Sequence, residues 1–218
     1  TVHNVFASVK TCAKLEGYTL SQVDSYRINL FMLGLKKNLR TKVNQMRPVT
    51  ISLLLQLYKV IDFNNHFHIC MWAAMLFLFF TFFRKSNVLP THASSFDPCK
   101  QVTMRSITCY RDYFTVSVRW SKTIQHAQRE LLIPVSSIPG SVLCPLQAFR
   151  RLCDTVQVPP DLSPFCYRDL SGKLCMLTYG AFVTQFRSWL SQLGIPDVSQ
   201  FCTHSFRRGG TTFAFQCK

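Results

Sequence analysis

Residues 69–83, ICMWAAMLFLFFTFF, run for fifteen positions without a charge. A segment this apolar has no polar side to show to water. It must be wrapped by other parts of the chain or by lipid. A membrane-crossing helix needs about 20 such residues. This run is shorter, and it is bracketed by His66 and His68 before it and Arg84-Lys85 after it. The reading is therefore a helix buried on every side at the centre of a globular core, running on into FRKSNVLP and ending near Pro90. With 218 residues, 48% of them hydrophobic, the chain can enclose such a helix within one domain, or within one domain plus part of another. The same composition argues against disorder.

The rest of the chain divides by period. LSQVDSYRINLFMLGLKKNLRT carries Val23, Ile28, Leu30, Phe31, Leu35 and Leu39 at helical spacing, with basic residues at its end. A break follows at Met46-Arg47-Pro48, and a boundary is placed there. Thr50 then reads as the N-cap of ISLLLQLYKVI. After the buried helix the period changes. In YFTVSVRW (113–120), Phe114, Val116, Val118 and Trp120 alternate with polar neighbours, which predicts a half-buried strand. ELLIPV (130–135) is a second strand and QVTMRSITCY (101–110) an earlier one. SKTIQHAQR forms the turn between the last two. Helices return at PLQAFRRLCDTV (145–156) and TYGAFVTQFRSWLSQLG (178–194), with Pro145 suited to a first turn, Thr178 to a cap and Gly194 to a stop. The order predicts an α+β fold, mainly helical with a small antiparallel sheet.

Charge narrows the partner. Lys plus Arg number 25 against 10 Asp plus Glu, a formal +15. Such an excess favours a polyanion, with nucleic acid ahead of a membrane surface. Ten cysteines are scattered without a C-x-x-C pair or zinc-finger spacing. They read as reduced and mostly buried, in a nuclear or cytosolic protein that is not secreted. TVHNVFASVK lacks the apolar core of a signal peptide, and a chain that opens on Thr reads as a fragment.

The chemistry concentrates in THSFRRGGTTF (203–213). If Thr203 caps a helix, His204 and Arg207 project from one face, next to the partial positive charge of the helix start. A guanidinium fork and an imidazole can grip a phosphate. A basic helix face in water has the same spacing, so the motif alone does not decide. Gly209 and Gly210 would weaken a helix by about 1 kcal/mol each relative to Ala. They permit either close packing or close approach to a ligand, and the sequence leaves both open. Arg84 follows the buried helix, where it serves as a charged stop or as a rigidly held cation. Lys122 falls on the turn after a strand, either as an ordinary turn lysine or as one that reaches into a groove.

In order and spacing, Arg84 in FRKSNVL, Lys122 in the hairpin SKT and His204-x-x-Arg207 in HSFRRGG resemble the tyrosine recombinases of the phage-integrase type. HSFRRGG is most similar to their eukaryotic, transposon-borne branch, the Crypton-like elements. The resemblance implies a catalytic domain over 47–218, with 1–46 the tail of a helical domain that clamps DNA. It implies that Arg84 and Arg207 hold the non-bridging oxygens of the scissile phosphate. His204 would hydrogen-bond the same phosphate, and Lys122 would be the general acid to the leaving 5′ oxygen. A tyrosine would form a 3′-phosphotyrosyl bond. The implied partner is double-stranded DNA, met by several copies of the chain. No metal, nucleotide cofactor, small-molecule substrate or membrane is implied.

The chain departs from the family in three places. The family's further His or Trp and its nucleophilic Tyr lie well beyond H-x-x-R, whereas all seven tyrosines here (18, 26, 58, 110, 113, 167 and 179) precede it. No nucleophile is assigned, and a truncated or degenerate copy that does not cut DNA by the family route is expected. Asn87 stands where an acidic residue is frequent, and Arg208 where many members have His. Two rivals therefore stand beside a recombinase catalytic domain: a non-catalytic DNA-binding remnant, and a basic interaction module without a DNA role. The last predicts that Arg84, Lys122, His204 and Arg207 lie on unrelated surfaces.

Overall fold

The computed structural model describes residues 2–18, 26–38, 45–120 and 130–217. They fall into two compact units, Thr1–Gln45 and Met46–Lys218. The first holds α1 (Val2–Leu15) and α2 (Tyr26–Asn38). Gly17, at φ 80°, ends α1 in a left-handed turn, with the Tyr18 amide donating to the Ala13 carbonyl at 3.0 Å. On α2 the inward stripe is narrower than expected. Ile28, Met32 and Leu35 are half-buried, while Leu30 and Phe31 are exposed. Val23 and Leu39 lie outside the described residues.

The second unit is built around α4 (His66–Thr81). Every residue from Ile69 to Phe79 is buried, as the uncharged run requires. Asn65 starts the helix: its side-chain oxygen accepts from the Phe67 and His68 amides. The expected continuation toward Pro90 does not occur. Phe82 adopts φ 57° and ψ 25°, left-handed geometry that stops α4 and throws the chain into a separate short helix, α5 (Lys85–Val88). A bulky residue there costs about 1 kcal/mol or more. Tertiary packing offsets it, because the Phe82 ring lies where a side chain at Gly210 would be.

Helix α3 (Ile51–Val60) begins at Thr50, whose hydroxyl oxygen accepts from the Leu53 amide at 3.2 Å. The strands β1 (Ile107–Cys109), β2 (Tyr113–Val118) and β3 (Leu131–Ser136) form an antiparallel sheet in that order. Phe114, Val116 and Val118 face inward, and Phe114 meets Phe77 of α4 and Phe149. Pro134 is tolerated because, among the described residues, β3 pairs with β2 alone. The strand expected over 101–110 shortens to 107–109. Ser106 turns back on Thr103, donating to its carbonyl and accepting from its amide, and this closes a 3₁₀ turn over Met104–Ser106.

Helix α6 (Pro145–Thr155) packs along α4. A two-stranded ribbon that the sequence reading did not anticipate, β4 (Cys166–Arg168) with β5 (Leu174–Met176), also rests on α4. Helix α7 (Tyr179–Gln192) starts at Thr178, which caps the Ala181 amide, and Gly194 closes its end at φ 69°. Helix α8 (Thr203–Gln216) lies against α4. All ten cysteines are free, but only Cys70, Cys144 and Cys166 are buried, so the expectation of mostly buried thiols is corrected. Those three sit inside the packed layers, while Cys12, Cys99, Cys109 and Cys217 are at the surface. Among the described residues no helix is long and apolar enough to cross a membrane, and no cluster of side chains could hold a metal ion.

Candidate functional site

Helix α8 is a two-faced element whose inward side is mostly small or aromatic. Thr203, Phe206, Gly209 and Gly210 are buried. Phe206 sits between Phe182 and Phe186 of α7, with ring centroids 5.6 and 4.8 Å away. The two glycines resolve the alternative left open by the sequence. A Cβ at Gly209 would overlap the carbonyl oxygen of Val49, and one at Gly210 would overlap that of Phe79. They are glycines because α8 lies in backbone contact with its neighbours. Close approach of an external ligand does not explain them.

The start of α8 differs from expectation by one residue. Cys202, not Thr203, is the N-cap, and its amide donates to Ser205 Oγ at 3.1 Å. Thr203 is turned into the core instead. The segment before the helix is braced from α7 by Arg187, which donates to the carbonyls of Phe201 and Ser199 at 3.0 and 2.8 Å. Arg47 lies over the Phe201 ring at 5.5 Å. Arg208 donates to the Met46 carbonyl, so it serves to pin α8 to the chain preceding α3.

With the buried face so fixed, the outer face must carry His204 and Arg207, one turn apart. His204 is exposed and Arg207 half-buried. Arg84 is the residue before α5, two positions after the Phe82 turn, and is exposed. Burial, and after it the neighbouring charge of Arg84, lower the pKa of Arg207 from the usual guanidinium value. The fold thus brings together two arginines that are distant in sequence, one of them partly withdrawn from water. Among the described residues neither has a carboxylate partner: the ion pairs there are Asp97–Lys100, Arg105–Asp161 and Arg119–Glu130. Paired cations without a counter-charge destabilise each other unless an anion lies between them.

Lys122 lies outside the described residues. Trp120, just beyond β2 on the way to it, is tied to α5 through Asn87, three residues after Arg84. Its buried Nδ2 donates to the Trp120 carbonyl at 3.1 Å. Asn87 therefore has a role that an acid could not fill in the same geometry, since a carboxylate has no hydrogen to give.

Two contributors escaped the sequence reading. One is Phe82, whose left-handed backbone ends α4 two residues before Arg84; an unbroken apolar run carries no signal for it. The other is Lys85, whose ammonium lies 4.0 Å from the centre of the Tyr179 ring. Its only signal was its place next to Arg84.

Solved structures share this fold, two complexes of one recombinase among them. The XerH site-specific recombinase bound to difH substrate in a pre-cleavage complex superposes with a TM-score of 0.53 at 13% identity, covering 80% of this chain and 44% of that one. The same recombinase with palindromic difH in a post-cleavage complex gives 0.54 at 13% identity, covering 82% and 45%. The chain thus spans less than half the length of these relatives. No protein-family model matches the sequence, and no curated protein does. At this identity the likeness speaks for the fold, which is that of a tyrosine-recombinase catalytic domain: mainly helical, with a small antiparallel sheet.

Proposed function

We propose that residues 47–218 form the phosphate-activating part of a tyrosine recombinase catalytic domain acting on double-stranded DNA in the nucleus or cytoplasm, with 1–46 the end of its DNA-clamping helical domain. HSFRRGG supports assignment to the transposon-borne branch. The observation that carries the reading is the pairing of Arg84 with Arg207, two guanidinium groups without a counter-ion among the described residues. A phosphodiester set between them would neutralise both. The charge that builds on its non-bridging oxygens during displacement would meet donors already in position. His204, one turn before Arg207, would donate to the same phosphate. Lys122 would protonate the departing 5′ oxygen. Several copies would assemble on the duplex.

No tyrosine of this chain is assigned as nucleophile, so the test must not require one. A duplex of randomised sequence, nicked and carrying a 3′-nitrophenyl phosphodiester beside a free 5′-hydroxyl, supplies its own leaving group. The 5′ oxygen attacks phosphorus, its proton passes to a base, and the bond to nitrophenolate breaks to leave an ordinary phosphodiester. The chain is expected to accelerate nitrophenolate release, and Arg207→Ala to abolish the acceleration. Duplex binding without release would identify a DNA-binding remnant instead. Absence of salt-dependent duplex binding would refute a DNA role altogether.

A further inference from the structure

Lys85 is a cation held in place but not neutralised. Its ammonium rests on the face of Tyr179, the first residue of α7. That ring is itself anchored. The Tyr179 amide donates to the Pro90 carbonyl at 2.8 Å, which ties the start of α7 to the chain just beyond α5. Burial is the first cause, and the nearby Cys202 thiol the second, of a raised phenol pKa, so Tyr179 sits beside the start of α8 and keeps its proton at neutral pH. A carboxylate partner would cancel the charge of Lys85. An aromatic face orients it and leaves N–H donors free for an anion. Lys85 is exposed, and no carboxylate pairs with it among the described residues.

Direction separates Lys85 from its neighbour. Arg84 has an extended backbone, with φ −77° and ψ 150°. Successive side chains on extended backbone diverge. The charge of Arg84 acts on Arg207 of α8, and Lys85 turns to Tyr179 on α7. Lys85 is thus held against a different helix from the one that carries Arg207. We propose that Lys85 is a positioning residue for a second backbone phosphate, next to the one gripped by Arg84 and Arg207, and that Tyr179 is the platform that aims it. This rests on the DNA reading above. It adds a two-point grip that would set the register of the strand across the arginine pair.

The test uses the full chain and a labelled mixed-sequence duplex, with affinity measured by fluorescence anisotropy across a salt series. Losing one phosphate contact lowers the slope of log affinity against log salt by about 0.9. Lys85→Ala is expected to lose that amount. Lys85→Arg, which keeps the charge, restores the slope. Tyr179→Leu weakens binding several-fold, and Tyr179→Phe, which keeps the ring, restores it. A steep wild-type slope left unchanged by Lys85→Ala would overturn this proposal while leaving the DNA reading intact. Equal binding by Tyr179→Leu and Tyr179→Phe would overturn the platform role. No salt-dependent binding by the wild type would remove the DNA reading and this proposal together. Thermal melts establish that each variant is folded; if Tyr179→Leu is not, the Lys85 pair decides alone.

Discussion

Val49 and Gly209 touch backbone to backbone. The Val49 amide donates to the Ser205 carbonyl of α8 at 2.9 Å, and the Val49 carbonyl oxygen fills the space that a side chain at position 209 would need. This contact, with the parallel one between Gly210 and Phe79, sets how deeply α8 sinks into the core. It therefore sets where His204 and Arg207 emerge.

Gly209→Ala makes the first prediction. Helix propensity alone would favour alanine by about 1 kcal/mol. The overlap with Val49 should reverse the sign and destabilise the fold by about 2–4 kcal/mol, since backbone and not a flexible side chain would have to move. Denaturant unfolding of wild type and variant measures it. A stabilised variant would mean that α8 does not sit against Val49.

The arginine pair predicts a split between stability and binding. Arg84 and Arg207 repel, so Arg84→Ala should leave the unfolding free energy within about 0.5 kcal/mol of wild type or raise it slightly. Duplex affinity should fall. The double variant with Arg207→Ala should lose less affinity than the two single losses combined, because one phosphate is shared. Strict additivity would indicate that the two arginines hold separate groups.

Asn87 predicts an intolerance of its charged isostere. Asn87→Asp removes the donor to the Trp120 carbonyl and sets a buried carboxylate against that oxygen. The expected cost is about 1–3 kcal/mol, larger than that of Asn87→Ala. Urea unfolding of the two variants compares them. An Asp variant as stable as wild type would show that the Asn87–Trp120 bond contributes nothing.

His68 predicts a pH dependence. Its Nδ1 accepts from the Asp62 amide at 3.2 Å, and its ring meets Trp189 edge-on. Burial lowers its pKa, against a smaller opposing pull from Asp62. A histidine with a depressed folded pKa binds more protons unfolded than folded. Its contribution is therefore complete above the ordinary value of about 6.5 and is lost as pH falls through the folded pKa. The wild type should lose more stability than His68→Gln between roughly pH 7.5 and pH 5. Parallel pH profiles would contradict the assignment.

Local physics was legible in the residue string. An uncharged run too short for a bilayer had to become a buried helix. Period-two alternation at Phe114, Val116 and Val118 had to become a strand with one wet face. Thr50, Thr178 and Gly194 marked helix ends because a hydroxyl can cap an amide and glycine can turn left-handed. Those outcomes depend on neighbours a few positions away. The meeting of Arg84 with Arg207 does not: it requires a left-handed turn at Phe82, a ring seated on Gly210, and two glycines that let α8 reach the backbones of Val49 and Phe79. The same limit explains the missed ribbon β4–β5 and the lysine on Tyr179. Each depends on a contact between segments far apart in the chain. The apolar pattern dictates that such segments be buried, but only the packed tertiary arrangement decides which atoms meet.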